Sequence, residues 1–140
     1  AVCLMHMQGE PRTMQADPAY ADVVREVRDF LAARVAAAQA AGIPVERIVV
    51  DPGFGFGKRL AHNLALLRHL DAFRDLGACV LAGLSRKSML GEISGRKVSD
   101  RSTASVAAAL LAAQNGARIL RVHDVAATKD ALAVWAAVEG

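Results

Sequence analysis

Four short runs of this chain combine residue types that can bind and transform a small polar molecule: MHMQGEP from Met5, DPGFGFGK from Asp51, GLSRKS from Gly83 and RVHDV from Arg121. Each follows a short apolar stretch and precedes a helical pattern. In the second run a carboxylate stands at a strand end, and the glycines after it let the backbone and Phe56 approach a ligand closely. In the third, Lys87 can hydrogen-bond a heterocycle or neutralise an anion. In the fourth, Arg121 and His123 lie two apart at a strand end, so their side chains leave on the same side and can together hold a phosphate. Singly, each has a plainer reading as a capped turn, a solvated lysine or a structural Arg and His. Four polar strand tips in one register are hard to obtain by chance.

Several familiar chemistries are excluded by spacing. A phosphate-binding P-loop needs a glycine where Pro52 stands and a Ser or Thr where Arg59 stands. Gly53, Gly55 and Gly57 do not have the spacing of the dinucleotide fingerprint. His6, His62, His69 and His123 show none of the close pairings of zinc ligands, and Met5-His6-Met7 and His123-Asp124 are too short to support a metal centre.

The elements that must position these runs have clear boundaries. Val2 to Met5 reads as the first strand, and Asp17-Pro18 as the cap and first residue of a helix. Val23, Val24, Val27, Phe30, Leu31, Val35 and Ala38 recur at three and four, one buried helical stripe that Gly42 stops. Ile48 to Val50 is the second strand. Asn63 is the expected cap of the next helix, with Leu64, Leu67, Leu70, Phe73 and Leu76 inward and Gly77 at its end. Cys79 to Leu84 is the third strand, followed by a loop containing Gly91 and Gly95 and a helix from about Asp100 to Gln114. Ile119 to Val122 is the fourth strand, and Thr128 the expected cap of a last helix carrying Leu132, Trp135 and Val138 inward. Strands without polar alternation are those buried on both faces, as in parallel sheets.

Composition agrees with such a design. At 140 residues the chain suits one domain, and its 54% apolar share with 4% aromatic favours helix-rich α/β packing over a β-sandwich. The net charge is +3 and the basic residues are scattered, so anionic ligands are favoured and no nucleic acid is expected. Cys3 and Cys79 fall in strands as buried thiols, which implies a reducing, cytoplasmic setting rather than a disulfide framework. No membrane association is expected, since no stretch approaches the length of a span.

Parallel strands with reactive residues at their C-terminal ends, alternating with helices, define an α/β fold of the TIM-type (β/α)8 barrel family. That barrel needs eight strands and typically about 250 residues. Here about four βα units are found, a C-terminal half-barrel, and the abrupt start at a strand edge is expected of a chain truncated at its N-terminus.

DPGFGFGK, SRKS and RVHD, in this order and separation and preceded by MHMQGEPRTMQ, make the whole chain resemble the C-terminal half of dihydropteroate synthase. The resemblance implies that residues 1–140 are the C-terminal half of a pterin-binding domain, strands five to eight of the barrel with their helices, without the N-terminal half. It implies a transferase of folate biosynthesis that condenses p-aminobenzoate with 6-hydroxymethyl-7,8-dihydropterin pyrophosphate, giving 7,8-dihydropteroate and pyrophosphate, and that sulfonamides inhibit. In that likeness Asp51, Lys87 and Met5 bind the pterin, Phe56 and Ser88 form the p-aminobenzoate pocket, and Arg121 and His123 bind the pyrophosphate. Lys87, Arg121 and His123 are the expected catalytic residues. The resemblance also implies magnesium, with no metal ligand expected in this chain, and a homodimer formed through the later helices. Two alternatives stand beside it. A pterin-binding methyltransferase domain shares the barrel and the aspartate but needs neither the SRKS run nor the anion clamp. A non-catalytic fragment would bind pterin weakly or not at all.

Overall fold

The computed structural model describes all 140 residues. Four strands, β1 (Val2–Met5), β2 (Ile48–Asp51), β3 (Cys79–Ala82) and β4 (Ile119–Leu120), form one sheet in the order β1-β2-β3-β4. All three pairings are parallel. Sequential parallel order with a helical crossover between neighbours is the arrangement of a βα-barrel wall, and it sends every strand's C-terminal end to one face. The register places Met5 beside Asp51. The ladder runs past the strands where the site begins: His6 N–H donates to the Asp51 carbonyl at 3.0 Å and Arg121 N–H to that of Ala82 at 3.0 Å.

The helices are α1 (Val23–Ala40), α2 (Leu60–Arg68), α3 (Ser88–Ser94), α4 (Ser102–Gln114) and α5 (Val125–Glu139). The stripe expected on α1 is present in Val23, Val27, Leu31 and Val35, all buried, and it packs into one core with Ile48, Val50, Phe54, Leu66, Leu70 and Phe73, whereas Phe30, expected in the same stripe, is 40% exposed with its ring edge-on to His6. Leu31 is fully buried, so truncating it to alanine costs about 2–5 kcal/mol.

Several boundaries differ from the sequence reading, each for a local reason. The first long helix starts at Val23, not at Asp17-Pro18, because Asp22 accepts from Arg25 N–H and Glu26 reaches back to the amides of Ala21 and Asp22. Asp17 instead pairs with Arg59. Asn63 lies within α2 and caps nothing: its Oδ1 accepts from Gly55 N–H at 2.9 Å. The same helix stops at Arg68, and a 3-10 turn over Leu70–Leu76 carries on to left-handed Gly77. The supposed loop around Gly91 contains α3, and Gly91 has a positive reason to be there: a Cβ would meet the Arg101 guanidinium at 2.2 Å. Thr128 sits one turn into α5, buried, donating to the Asp124 carbonyl at 2.8 Å. β3 and β4 end two residues earlier than expected. Burial on both faces holds for β2 and β3 alone. β1 and β4 are the two edges of the open sheet, so Cys3 is exposed and Val138 of α5 is 78% exposed instead of inward; Cys79, expected to be buried, is half-buried at the first residue of β3.

Candidate active site

The β2 tip is the most enclosed part of the polar face. Asp51 is 1% exposed. Its Oδ1 accepts the Gly53 N–H at 2.8 Å, and its Oδ2 accepts from Arg121 Nη2 at 3.2 Å. A carboxylate offers about four lone-pair positions, so these two bonds leave acceptor capacity for two further donors. The loop can fold this tightly because Gly53 has φ 72 and a Cβ there would lie 1.9 Å from the His6 carbonyl oxygen. Gly57 is equally confined, with Gln8 O 2.6 Å from its hypothetical Cβ. Lys58 ends the loop and turns back under it. Its Nζ lies 2.9 Å from His6 Nδ1 and donates to the carbonyls of Gly53 and Phe56, both at 3.0 Å.

This burial disfavours the charged forms of both Lys58 and His6. Desolvation pushes Lys58 down to about 8, with the Asp51 charge opposing and Lys87 adding to the fall. Desolvation and the Lys58 charge push His6 down to about 4.

The β3 tip is a tight turn in which Lys87 N–H donates to the Leu84 carbonyl at 3.2 Å. Arg86 takes φ 60, the sole non-glycine residue at positive φ. Three further contacts hold it there. Its N–H donates to Ser105 Oγ at 2.9 Å, its carbonyl accepts from Arg101 Nη1 at 3.1 Å, and its guanidinium meets the Asp124 carboxylate at 3.2 Å. Strain of this kind persists where the surroundings over-determine it. The turn delivers Lys87 Nζ over the Phe56 ring, 4.1 Å from its centroid. Desolvation and the Arg121 charge lower the Lys87 ammonium below the ordinary lysine range, with Asp51 opposing. Ser88 opens α3 and is exposed beside it.

The β4 tip carries Arg121 and His123, both exposed. Arg121 reaches across β3 toward Asp51 because residue 83 is glycine: a Cβ would lie 2.5 Å from its Nη2. His123 is exposed at the rim, with Nδ1 2.9 Å from Ser85 Oγ. A cavity of about 260 Å³ is lined by Gly83, Ser85, Lys87, Arg121, Val122 and His123. The sequence-level site residues therefore fall into one cluster. Arg121 and His123 do line one cavity, but Arg121 spends its guanidinium on Asp51 instead of pairing with His123. Met5 flanks Asp51 and is 37% exposed.

Residues that sequence reasoning left without a role include Lys58, His6, Gly83 and Ser85. A lysine closing a glycine-rich run signals a solvated end, and its contact with His6 spans 52 positions, which no local pattern contains. The arrangement as built offers a buried acceptor for a flat ligand with paired donors, a cation over an aromatic ring, and a cationic cavity for an anion.

A family model described as pterin binding enzyme matches residues 1–123. A dihydropteroate synthase of Haemophilus influenzae is 55% identical over 136 residues, covering 97% of this chain and 50% of that protein. The crystal structure of dihydropteroate synthase from Stenotrophomonas maltophilia with active site-bound imidazole superposes with TM-score 0.95 at 59% identity, over 99% of this chain and 52% of that one. The enzyme from Xanthomonas albilineans in complex with 7,8-dihydropteroate gives TM-score 0.91 at 55% identity, over 99% and 50% of the two chains. The chain spans about half the length of the curated relatives it matches.

Proposed function

The chain belongs to the pterin-binding enzymes, and from that membership we propose that it carries the pterin and pyrophosphate sites of a dihydropteroate synthase, residues 1–140 being the C-terminal half of the pterin-binding domain. The observation that carries the reading is the nearly inaccessible Asp51 carboxylate held at the edge of a cavity that Lys87, Arg121 and His123 line. The Xanthomonas albilineans relative holds the product of that reaction.

In this reading the pterin amide N–H and amino group donate to Asp51, each such bond worth roughly 1.5–3 kcal/mol. Lys87 bonds the ring from the other side and Met5 packs beside it. Phe56 and Ser88 bound the p-aminobenzoate pocket, which sulfonamides would also enter. The reaction forms a bond from the p-aminobenzoate nitrogen to the exocyclic pterin carbon. The carbon–oxygen bond breaks, its electron pair leaves on pyrophosphate, and the amine gives up a proton. Arg121 and His123 hold the departing charge, so the protein contributes placement and fixed electrostatics and no covalent nucleophile. Arg121 links the two halves of the site: freed from Asp51 when the pterin docks, it turns toward the anion, and its side chain, 55% exposed, has room to do so.

Magnesium belongs to this reading by resemblance; no group of three His, Cys, Asp or Glu side chains converges in this chain. The homodimer of the reading would use the later helices, where Ile93 and Leu111 are exposed beside one another's helices. The unpaired Cys3 and Cys79 are compatible with a cytoplasmic setting. No helix is long and apolar enough to cross a membrane.

The test is p-aminobenzoate-dependent release of pyrophosphate from the dihydropterin pyrophosphate, by this chain alone and by this chain joined to the first half of the Haemophilus influenzae relative. The reading requires release by the joined protein that Lys87→Ala lowers at least about tenfold, one charge-assisted hydrogen bond's worth. Release that ignores p-aminobenzoate, or survives Lys87→Ala unchanged, contradicts it. A methyltransferase would need neither Lys87 nor the Arg121 and His123 pair at this cavity.

A further inference from the structure

Ser85 stands between the two strand tips that carry the cations, and its hydroxyl has His123 as its one partner. Its Oγ accepts the His123 backbone N–H at 3.3 Å and lies 2.9 Å from Nδ1 of the same residue. Ser85 is 9% exposed, and no buried side-chain polar atom in the chain is left without a partner. A hydroxyl has one proton to donate and two lone pairs to accept with. Were the ring proton on Nδ1, Oγ would accept twice and its own proton would have no partner within the chain. With Nδ1 bare, the hydroxyl donates to it and still accepts the backbone N–H, so every group is satisfied.

We infer that Ser85 is a positioning residue that holds His123 in the Nε2–H tautomer, turning its outer ring nitrogen into a fixed donor for an anion in the adjoining cavity. The consequence for catalysis rests on the proposed function: Nε2–H meets a pyrophosphate oxygen, whereas the other tautomer would aim a lone pair at it. Nε2 makes no hydrogen bond within the chain, so it is free for this use. The turn gives Ser85 the rigidity the task needs. Arg86, held at φ 60 by Ser105, Arg101 and Asp124, fixes the Oγ position next to the strand that carries His123.

The experiment is nitrogen NMR of the chain labelled at histidine, in alkaline buffer above the ordinary imidazole range, with His123 assigned against His123→Gln. The expected wild-type spectrum has a fully bare Nδ1 and a fully protonated Nε2. Ser85→Ala moves part of the population to Nδ1–H, and Ser85→Thr restores the wild-type pattern. A protonated Nδ1 in the wild type, or a mixture already present there, overturns the assignment even if no variant folds. A folded Ser85→Ala with an unchanged spectrum overturns it too. Calorimetric titration with inorganic pyrophosphate then reads the use of the donor: Ser85→Ala weakens binding on the order of threefold to tenfold, the range of one neutral hydrogen bond, and Ser85→Thr recovers it. Equal binding by Ser85→Ala overturns the part assigned to Ser85. A wild type with the expected tautomer that does not bind pyrophosphate counts against the proposed function instead, and the two failures are thereby distinguished.

Discussion

The tips of β2 and β4 lie on one face with β3 between them and are built in opposite ways. At β2, Asp51 and Lys58 are 1% and 3% exposed, and every polar atom is tied to a neighbour through a loop whose glycines leave no room for side chains. At β4, a two-residue edge strand presents Arg121 and His123 largely to solvent, each held by one or two side-chain contacts. The difference matches what each ligand of the proposed reaction requires. A flat heterocycle with paired donors is discriminated by acceptors that do not move, because unpaired groups in a dry site are costly. A leaving anion has to be met and then released, which suits solvent-exposed donors held by few contacts.

The contrast is broken most severely at Gly53. Gly53→Ala would place a methyl group 1.9 Å from the His6 carbonyl at a positive φ, and we expect a loss of roughly 3 kcal/mol or more in urea unfolding. Lys58→Met keeps the length of the side chain but leaves two carbonyls and His6 Nδ1 without their donor. Its expected cost is about 2–4 kcal/mol. Acid gives a third, smaller effect at the same tip. His6 falls from 6.5 to about 4 on folding, so between those values the unfolded chain binds the proton and the folded chain does not. Stability is therefore full above 6.5 and is lost as pH falls toward 4, by up to about 2 kcal/mol after allowing for solvent screening. His6→Gln should flatten that part of the pH profile of unfolding. At β4, Arg121→Ala should change stability by less than about 1 kcal/mol, since the Arg121 side chain is 55% exposed and its removal lets water reach the Asp51 carboxylate. Pyrophosphate affinity in the same variant should fall about tenfold by calorimetry. A large stability loss in Arg121→Ala, or none in Lys58→Met, would remove the distinction between the two tips.

Much of this was legible in the order of residues. The barrel-type order follows from apolar strands alternating with helical stripes, and α1 shows its buried face in Val23, Val27, Leu31 and Val35. Asp51, Lys87, Arg121 and His123 stand out together, because four polar strand tips in one register are hard to obtain by chance. Helix starts were less legible. Asp17 and Asn63 have the chemistry of caps, but the long loop before α1 and the glycine run before α2 recruit them for tertiary bonds to Arg59 and Gly55. α3 was hidden because Gly91 looks like a loop residue, when it is a helical position thinned to let Arg101 pass. Lys58 and Ser85 owe their roles to partners 52 and 38 positions away, and such pairs emerge when the sheet brings the tips together. The edges failed for a related reason: β1, β4 and the outer face of α5 carry core-like residues, and the open sheet leaves them exposed.

The central claim is that Asp51 is a pterin acceptor, and it is tested most directly by calorimetric titration of a dihydropterin into the wild-type chain and Asp51→Asn, both shown to be folded by circular dichroism. The account predicts binding by the wild type and a loss of at least about tenfold in the variant, where an amide replaces part of the acceptor. A folded wild type that binds no dihydropterin, or a variant that binds it equally well, would contradict the claim.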